Sequence, residues 1–308
     1  MAEYDREEFA RLPFKKKLAN WAVSWGMVLP AIVFLLIFTI YPMFNIIRLS
    51  FFRGNALNPV KEFVGLDNYR QIFFVKTDFL TALKNTGYYT IVTLVVLITA
   101  ALLFALWMQK DRKINNVAQV MFFTPHLVAT ISCAFIWTWL YNKNDYGLFN
   151  TVLELFHIPP QNWLSDSDLA MNGIIVMNVW KSIGYYALII LASLKTIPAE
   201  INEAAMLDQA RGPRKFFKIT LPLLSPQLFF ILITITTGTF KVFDSIRIMT
   251  NGGPGDTTRV ISMYIYDYAF QRNNTLGIAS AAGVVLMVIL ILVTLVYFVF
   301  LEKRVHYQ

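Results

Sequence analysis

Four stretches of this chain, residues 18–47, 85–109, 114–142 and 273–301, contain no Lys, Arg, Asp or Glu. Each is longer than the roughly 20 residues a helix needs to cross the hydrocarbon layer of a bilayer. A fifth uncharged run covers 219–240, and a sixth, 169–194, is interrupted only by Lys181. Backbone groups in hydrocarbon must pair within their own segment or in a closed barrel, so continuous runs of this length predict helices. The expectation is an all-α polytopic membrane protein with six transmembrane helices in one domain over 27–300. The spans fall near 27–47, 85–108, 117–141, 169–194, 221–249 and 276–300, after a leading segment 1–26 and before a tail 301–308. Composition agrees, since 15% of the residues are charged against about 25% in soluble domains.

Lys and Arg orient the spans, because cytoplasmic loops hold the excess positive charge. The leading segment, the second and fourth connections and the tail carry fifteen; the other three connections carry nine. Both termini are therefore expected in the cytoplasm. The net charge of +8 requires no nucleic acid, because anionic lipid headgroups attract basic loops. Cys133, the single cysteine, lies inside a span, which leaves no disulfide framework and no thiolate metal site, and no metal is expected. Glu3, Asp5, Glu7 and Glu8 among the first basic residues are unlike a cleaved leader, so the first span is expected to remain.

The connections differ in kind. The first, 48–84, has turn signals at Arg53-Gly54-Asn55 and Asn58-Pro59, then an amphipathic stretch over 66–83 expected along the membrane surface. The second carries Pro159-Pro160, Asp166 and Asp168, and the third is a short loop over 251–256. In the connection 195–220, Pro198 reads as a first-turn proline, with Glu200 and Glu203 near the positive helix end. Gly212-Pro213 is expected to stop that helix, and a second short helix over 214–220 to run into the fifth span. Ala204 and Ala205 keep its surface shallow enough for another protein. Arg211, Arg214, Lys215 and Lys218 suit equally well an amphipathic helix lying on headgroups.

In this segment Ile197-Pro198, Glu203-Ala204-Ala205, Asp208, Ala210, Phe217, Ile219 and Leu221-Pro222 follow the order and spacing of a known loop. Through them the chain resembles the inner-membrane permease subunits of binding-protein-dependent ABC importers, in the carbohydrate-uptake group of maltose-type and glycerol-3-phosphate-type permeases. Phe63-Val64-Gly65-Leu66-Asp67-Asn68-Tyr69 and Thr250-Asn251-Gly252-Gly253-Pro254 agree with it. The resemblance implies a type I ABC importer permease fold in a bacterial inner membrane. It further implies a second homologous permease subunit, a dimer of ABC ATPases, and an extracytoplasmic binding protein that delivers the solute. Glu203, Ala204, Ala205, Asp208 and Gly212 would form the coupling helix and its exit. ATP and Mg would be bound and hydrolysed by the partner ATPase, since this chain has no Gly-x-x-x-x-Gly-Lys-Ser/Thr phosphate loop. Asn251, Gly252, Gly253 and Pro254 would meet the binding protein, although the same residues also make a plain tight turn. The first outer connection is too short for the large domain some maltose-type subunits insert. One position departs from the pattern: Gln209 stands where the family usually has Gly, and Gly212 follows three residues later.

A solute path requires polar side chains on one helical face inside lipid, where they are costly unless they face a cavity or partner. In the fifth span Gln227, Thr234, Gly238, Lys241, Asp244 and Ser245 share a stripe, with Phe240 beside it. In the fourth, Asn178, Lys181 and Tyr185 align, with Trp180 adjacent. Rings that stack on apolar sugar faces, with amides and hydroxyls around them, suit a sugar or oligosaccharide. The three cations Lys181, Lys241 and Arg247 allow instead a phosphorylated or acidic solute such as glycerol-3-phosphate or a uronate. Structural readings stand beside these: Lys241 can pair with Asp244, Arg247 can reach the outer surface, and His126 after Pro125 reads as a kink residue. A lipid-headgroup transferase would need several carboxylates on neighbouring turns after Asp208, and none occurs over 209–243. A self-sufficient ion-coupled carrier would need two repeats and more intramembrane acids than Asp244.

Overall fold

The computed structural model describes residues 13–55, 57–110, 112–143 and 147–301. Residues 1–12 of the leading segment, with Arg6 and Arg11, and the tail residues Lys303 and Arg304 lie outside the described residues. Helices dominate. In chain order they are α1 (Phe14–Leu35), α2 (Tyr41–Leu49), α3 (Asp67–Arg70), α4 (Thr77–Met108), α5 (Lys113–Leu127), α6 (Thr130–Leu140) and α7 (Leu148–Leu155). There follow α8 (Ala170–Lys195), α9 (Ala199–Leu207), α10 (Gly212–Lys215), α11 (Leu221–Leu223), α12 (Ser225–Phe240), α13 (Asp244–Met249), α14 (Ile261–Tyr266) and α15 (Leu276–Val296). Two strands, β1 (Phe52–Arg53) and β2 (Glu62–Phe63), pair antiparallel after α2. Four helical stretches are long and apolar enough to cross a membrane, and two bent pairs bring the number to six if each pair is one span.

The long rods α4 and α8 form the centre. Ala101 and Ala105 of α4 and Ala187 of α8 are fully buried between them, and such small side chains let two helix backbones approach where lipid offers no hydrophobic drive to associate. By contrast, the most apolar window of the first stretch, Trp21–Leu49, has no buried residue. Residues 21–39, apolar and exposed throughout, face lipid or another subunit, while Met43, Ile47 and Leu49 of α2 are half-buried in the chain.

Three expected rods are broken or redrawn. The third span, expected unbroken over 117–141, is two helices bent by 102°. Val128 and Ala129 are extended at ψ 140 and 137, just after Pro125 and its missing N–H. The fifth, expected over 221–249, bends by 69° at Leu224 and breaks again at Lys241 to Phe243, where Phe243 sits at φ −144, ψ −59. The amphipathic stretch 66–83 does not lie on the surface. It divides into α3, a π-helical turn Gln71–Val75, an extended Lys76 and the start of α4. Ile72, Phe79 and Ala82 from it are buried against Ile261, Tyr264, Tyr268 and Ile278.

That last cluster depends on α14 and the π-helical turn Asp267–Gln271, an element between the fifth and sixth spans where the sequence suggested only a short loop. The β1–β2 hairpin is joined to the start of α15. Leu276 N donates to Gly54 O at 3.1 Å, and Asn68 Nδ2 donates to Ser50 O and Phe52 O at 2.8 and 3.0 Å. Gly277 lies so close under the Phe52 carbonyl that a methyl there would collide with it.

Candidate functional site

The breaks open a cavity. About 250 Å³ of space lies between α4, α8, the start of α6 and the α12–α13 junction. Its wall includes Asn178, Gly238, Lys241 and Asp244 from the expected path, together with Tyr89, Thr93, Thr130, Ser182, Tyr186, Thr239 and Ser245. A straight fifth span would carry Lys241 and Asp244 past the cavity; the non-helical turn at 241–243 places both on its rim, exposed in this chain. Among the described residues they form no ion pair with each other. Asn178 is held in place: its Nδ2 donates to Ile174 O at 3.0 Å and Ser245 Oγ at 3.1 Å.

The other expected path residues point elsewhere. Trp180 is 41% exposed and its ring lies 5.4 Å from that of Trp137. Thr234 Oγ1 donates to its own helix at Phe230 O, 2.9 Å. Phe240 is buried without lining the cavity. Lys181, only 9% exposed, donates from Nζ to His126 O at 3.2 Å, and Tyr185 stacks on the His126 ring with centroids 4.3 Å apart. The reason is geometric. Lys181 and Tyr185 share a face of α8 that the end of α5 covers, while Asn178 and Ser182 face the cavity. The missed hydroxyls of Tyr89 and Thr93 did leave a signal: they lie four residues apart, with Thr86 three residues before Tyr89, a polar helical stripe inside the second span.

At one end of the rods lies α9. It follows an extended Pro198 (ψ 144), which caps the helix and does not occupy its first turn. Glu203, Ala204 and Asp208 are exposed, as are Met206 and Leu207 at 57% and 86%. Ala205 is not part of this face, being 2% exposed. The helix exit is a Schellman motif: Ala210 N donates to Ala205 O at 2.8 Å and Gln209 N to Met206 O at 3.1 Å. This motif needs a left-handed residue at Gln209, whose φ is 54, which is the reason a glycine suits that position. Gly212, also at φ 54, and Pro213 start α10 and do not stop α9. The tract 212–223 then reaches the fifth span through the bend at Leu224.

At the opposite end the loop after α13 is tightly held. Asn251 is exposed, Gly252 buried, and Gly253 and Pro254 half-buried. Asn85 Nδ2 donates to Asp256 O at 2.8 Å and Arg259 O at 2.9 Å, and Thr258 Oγ1 donates to Gly253 O at 2.7 Å. Arg259 pairs with Asp256 at 3.0 Å and with buried Asp267. Burial works to lower the Arg259 pKa, yet the bond to Asp267 and the charges of Asp256, Asp267 and Asp78 raise it above its usual value. Beside the loop a hollow of about 650 Å³ is lined by Tyr141, Asn162, Trp163 and Asn251.

The structure thus has an exposed helix at one end, a polar cavity in the rods and a tightly held loop at the other end. Residues 97–307 match the family described as binding-protein-dependent transport system inner membrane component. The chain belongs to that family. This permease is 34% identical over 286 residues to the trehalose/maltose transport system permease protein MalF of Thermococcus litoralis, covering 93% of this chain and 96% of the relative. It is 33% identical over 291 residues to the sn-glycerol-3-phosphate transport system permease protein UgpA of Agrobacterium fabrum, covering 94% and 97%. Its fold is that of a chain in the crystal structure of a bacterial ABC transporter that imports the acidic polysaccharide alginate, with TM-score 0.82, 23% identity and coverage of 94% and 98%. The permease is thus a polytopic inner-membrane component of an ABC importer.

Proposed function

We propose that this permease forms half of a translocation pathway for a sugar or oligosaccharide, delivered by an extracytoplasmic binding protein and driven by separate ATPase subunits. The observation that carries the reading is the cavity at the α12–α13 break, where hydroxyls, one fixed amide and two charges, Lys241 and Asp244, that form no ion pair among the described residues, face a space between apolar helices. Polar groups arranged this way in a membrane offer partners to a solute stripped of water. The carbohydrate solute named for the MalF relative supports it. Lys241 and Asp244, left without each other, suit contact with a second permease subunit across the pathway.

The α9 end then faces the cytoplasm with both termini, as the distribution of Lys and Arg favours. Glu203, Ala204, Met206, Leu207 and Asp208 fit an ATPase cleft. ATP and Mg belong to that partner. The loop at Asn251 to Pro254, on the outer face, is suited to the binding protein because Thr258 holds the Gly253 carbonyl and Asn85 holds the carbonyls of Asp256 and Arg259 just beyond it. Bilayer lipids cover the remaining apolar surface. A second reading, an acidic or phosphorylated solute, is favoured by the Lys241 ammonium at the cavity rim and by the solute named for the UgpA relative.

Uptake in a strain lacking this chain, complemented with wild type or Lys241→Gln and assayed with neutral and acidic sugars, tests both. For a neutral solute the variant is expected to keep uptake within about twofold, while loss of a charge-assisted contact to an anion lowers it about tenfold or more. No uptake of any sugar by the complemented strain overturns the proposal.

A further inference from the structure

We infer that Lys181 is a positioning residue: its ammonium holds the third span broken, and through that break sets the cavity wall at Thr130. The inference rests on the transport reading above.

An unpaired ammonium inside a span is expensive, so its partner states its purpose. In an unbroken helix the His126 carbonyl would accept the N–H of residue 130. The extended Val128 and Ala129 carry that N–H away, and the last carbonyls of α5 form the negative end of its dipole. Lys181 Nζ donates to this carbonyl at 3.2 Å. Positions 181, 184 and 185 lie on one face of α8, and all three meet the end of α5. Gly184 lies against the Phe122 carbonyl, where an added methyl would collide, and Tyr185 stacks on the His126 ring at 4.3 Å and 7°. Tyr185 also lies edge-on to Tyr186 at 5.0 Å. Tyr186 and Thr130, the first residue of α6, both line the cavity. The clasp therefore connects the break in the third span to the wall of the proposed pathway, while Lys181 itself stays outside it. Without the ammonium the 127–130 turn loses its cap, and the direction in which α6 leaves the cavity is no longer fixed.

The test uses the assembled importer in membranes. Thr130→Cys, with Cys133→Ala to remove the native thiol, is labelled by N-ethylmaleimide in the presence of Lys181, Lys181→Met, Lys181→Arg or Gly184→Ala. Lys181→Met is expected to change the labelling rate about tenfold, as losing a charged hydrogen bond implies, and to lower maximal uptake with KM and the neutral-to-acidic preference unchanged. Lys181→Arg retains a donor and is expected to restore both; Gly184→Ala, which pushes the same helices apart, is expected to match Lys181→Met. A variant Lys181→Met that alters KM or solute preference at unchanged labelling places the ammonium on the solute and overturns the inference. Wild-type labelling and uptake in Lys181→Met overturn it as well. The labelling needs no solute, so a failure of the sugar reading leaves the clasp still decided.

Discussion

Single residues in this permease are explained by the backbone they serve. Gln209 occupies the left-handed position of a Schellman motif at φ 54, where a side chain costs about 1 kcal/mol that glycine does not. Gln209→Gly is therefore expected to slow limited proteolysis of the 199–223 segment by about fivefold, as 1 kcal/mol implies, with uptake retained; faster cleavage would show that the glutamine side chain itself holds the loop. Asn150 is similar in logic and opposite in cost. It is 5% exposed, donates to Asn142 O and Gln161 O and accepts from Gln161 N and Trp163 Nε1, all at 3.0 Å. Asn150→Ala removes all four hydrogen bonds and is expected to lower stability by about 3 kcal/mol, read as a lower melting temperature and altered Trp163 emission. The sequence marked Gln209 as a departure, because one motif position is visible in one dimension. It gave no hint of Asn150, whose four partners are set by a folded loop.

At the scale of elements, the junction between the fifth and sixth spans is fastened by charge. Asp267 is 4% exposed and Arg259 pairs with it from the loop preceding α14. Removing one partner of a buried pair leaves the other uncompensated, so Asp267→Asn is expected to cost about 3 kcal/mol. Asp256→Asn, whose side chain is 49% exposed, is expected to cost under about 1 kcal/mol. Thermal unfolding of the two purified variants checks the contrast, and equal shifts would refute it. This junction was poorly legible beforehand. Residues 259–272 contain Arg259, Asp267 and Arg272 and so fall outside every uncharged run, yet Tyr264 and Tyr268 are buried there. Hydropathy registers a charge as exposure, and only contacts reveal that a buried Asp267 is paired with a half-buried Arg259.

For the whole molecule, the proposed coupling runs from exposed α9 through the 212–223 tract to the bent fifth span and the cavity. Glu203→Arg is expected to insert and fold normally, since Glu203 is exposed, and to lower solute-stimulated ATP hydrolysis by the assembled importer about tenfold or more through charge reversal at a protein interface. Unchanged transport by that variant removes the docking role from α9. The sequence by itself determined that the chain crosses lipid, about where, and that it carries the importer loop. Solvation energy and a local motif are both properties of consecutive residues. It also put Asn178, Gly238, Lys241 and Asp244 on polar stripes, and the structure brings these four to one cavity. Only the tertiary structure decided that Lys181, from an equally plausible stripe, caps a neighbouring helix, and that the third and fifth spans break. A helix face is fixed by a 3.6-residue period, but what covers that face is fixed by other helices. The third-span break persists because Lys181, remote in sequence, satisfies the carbonyl it exposes.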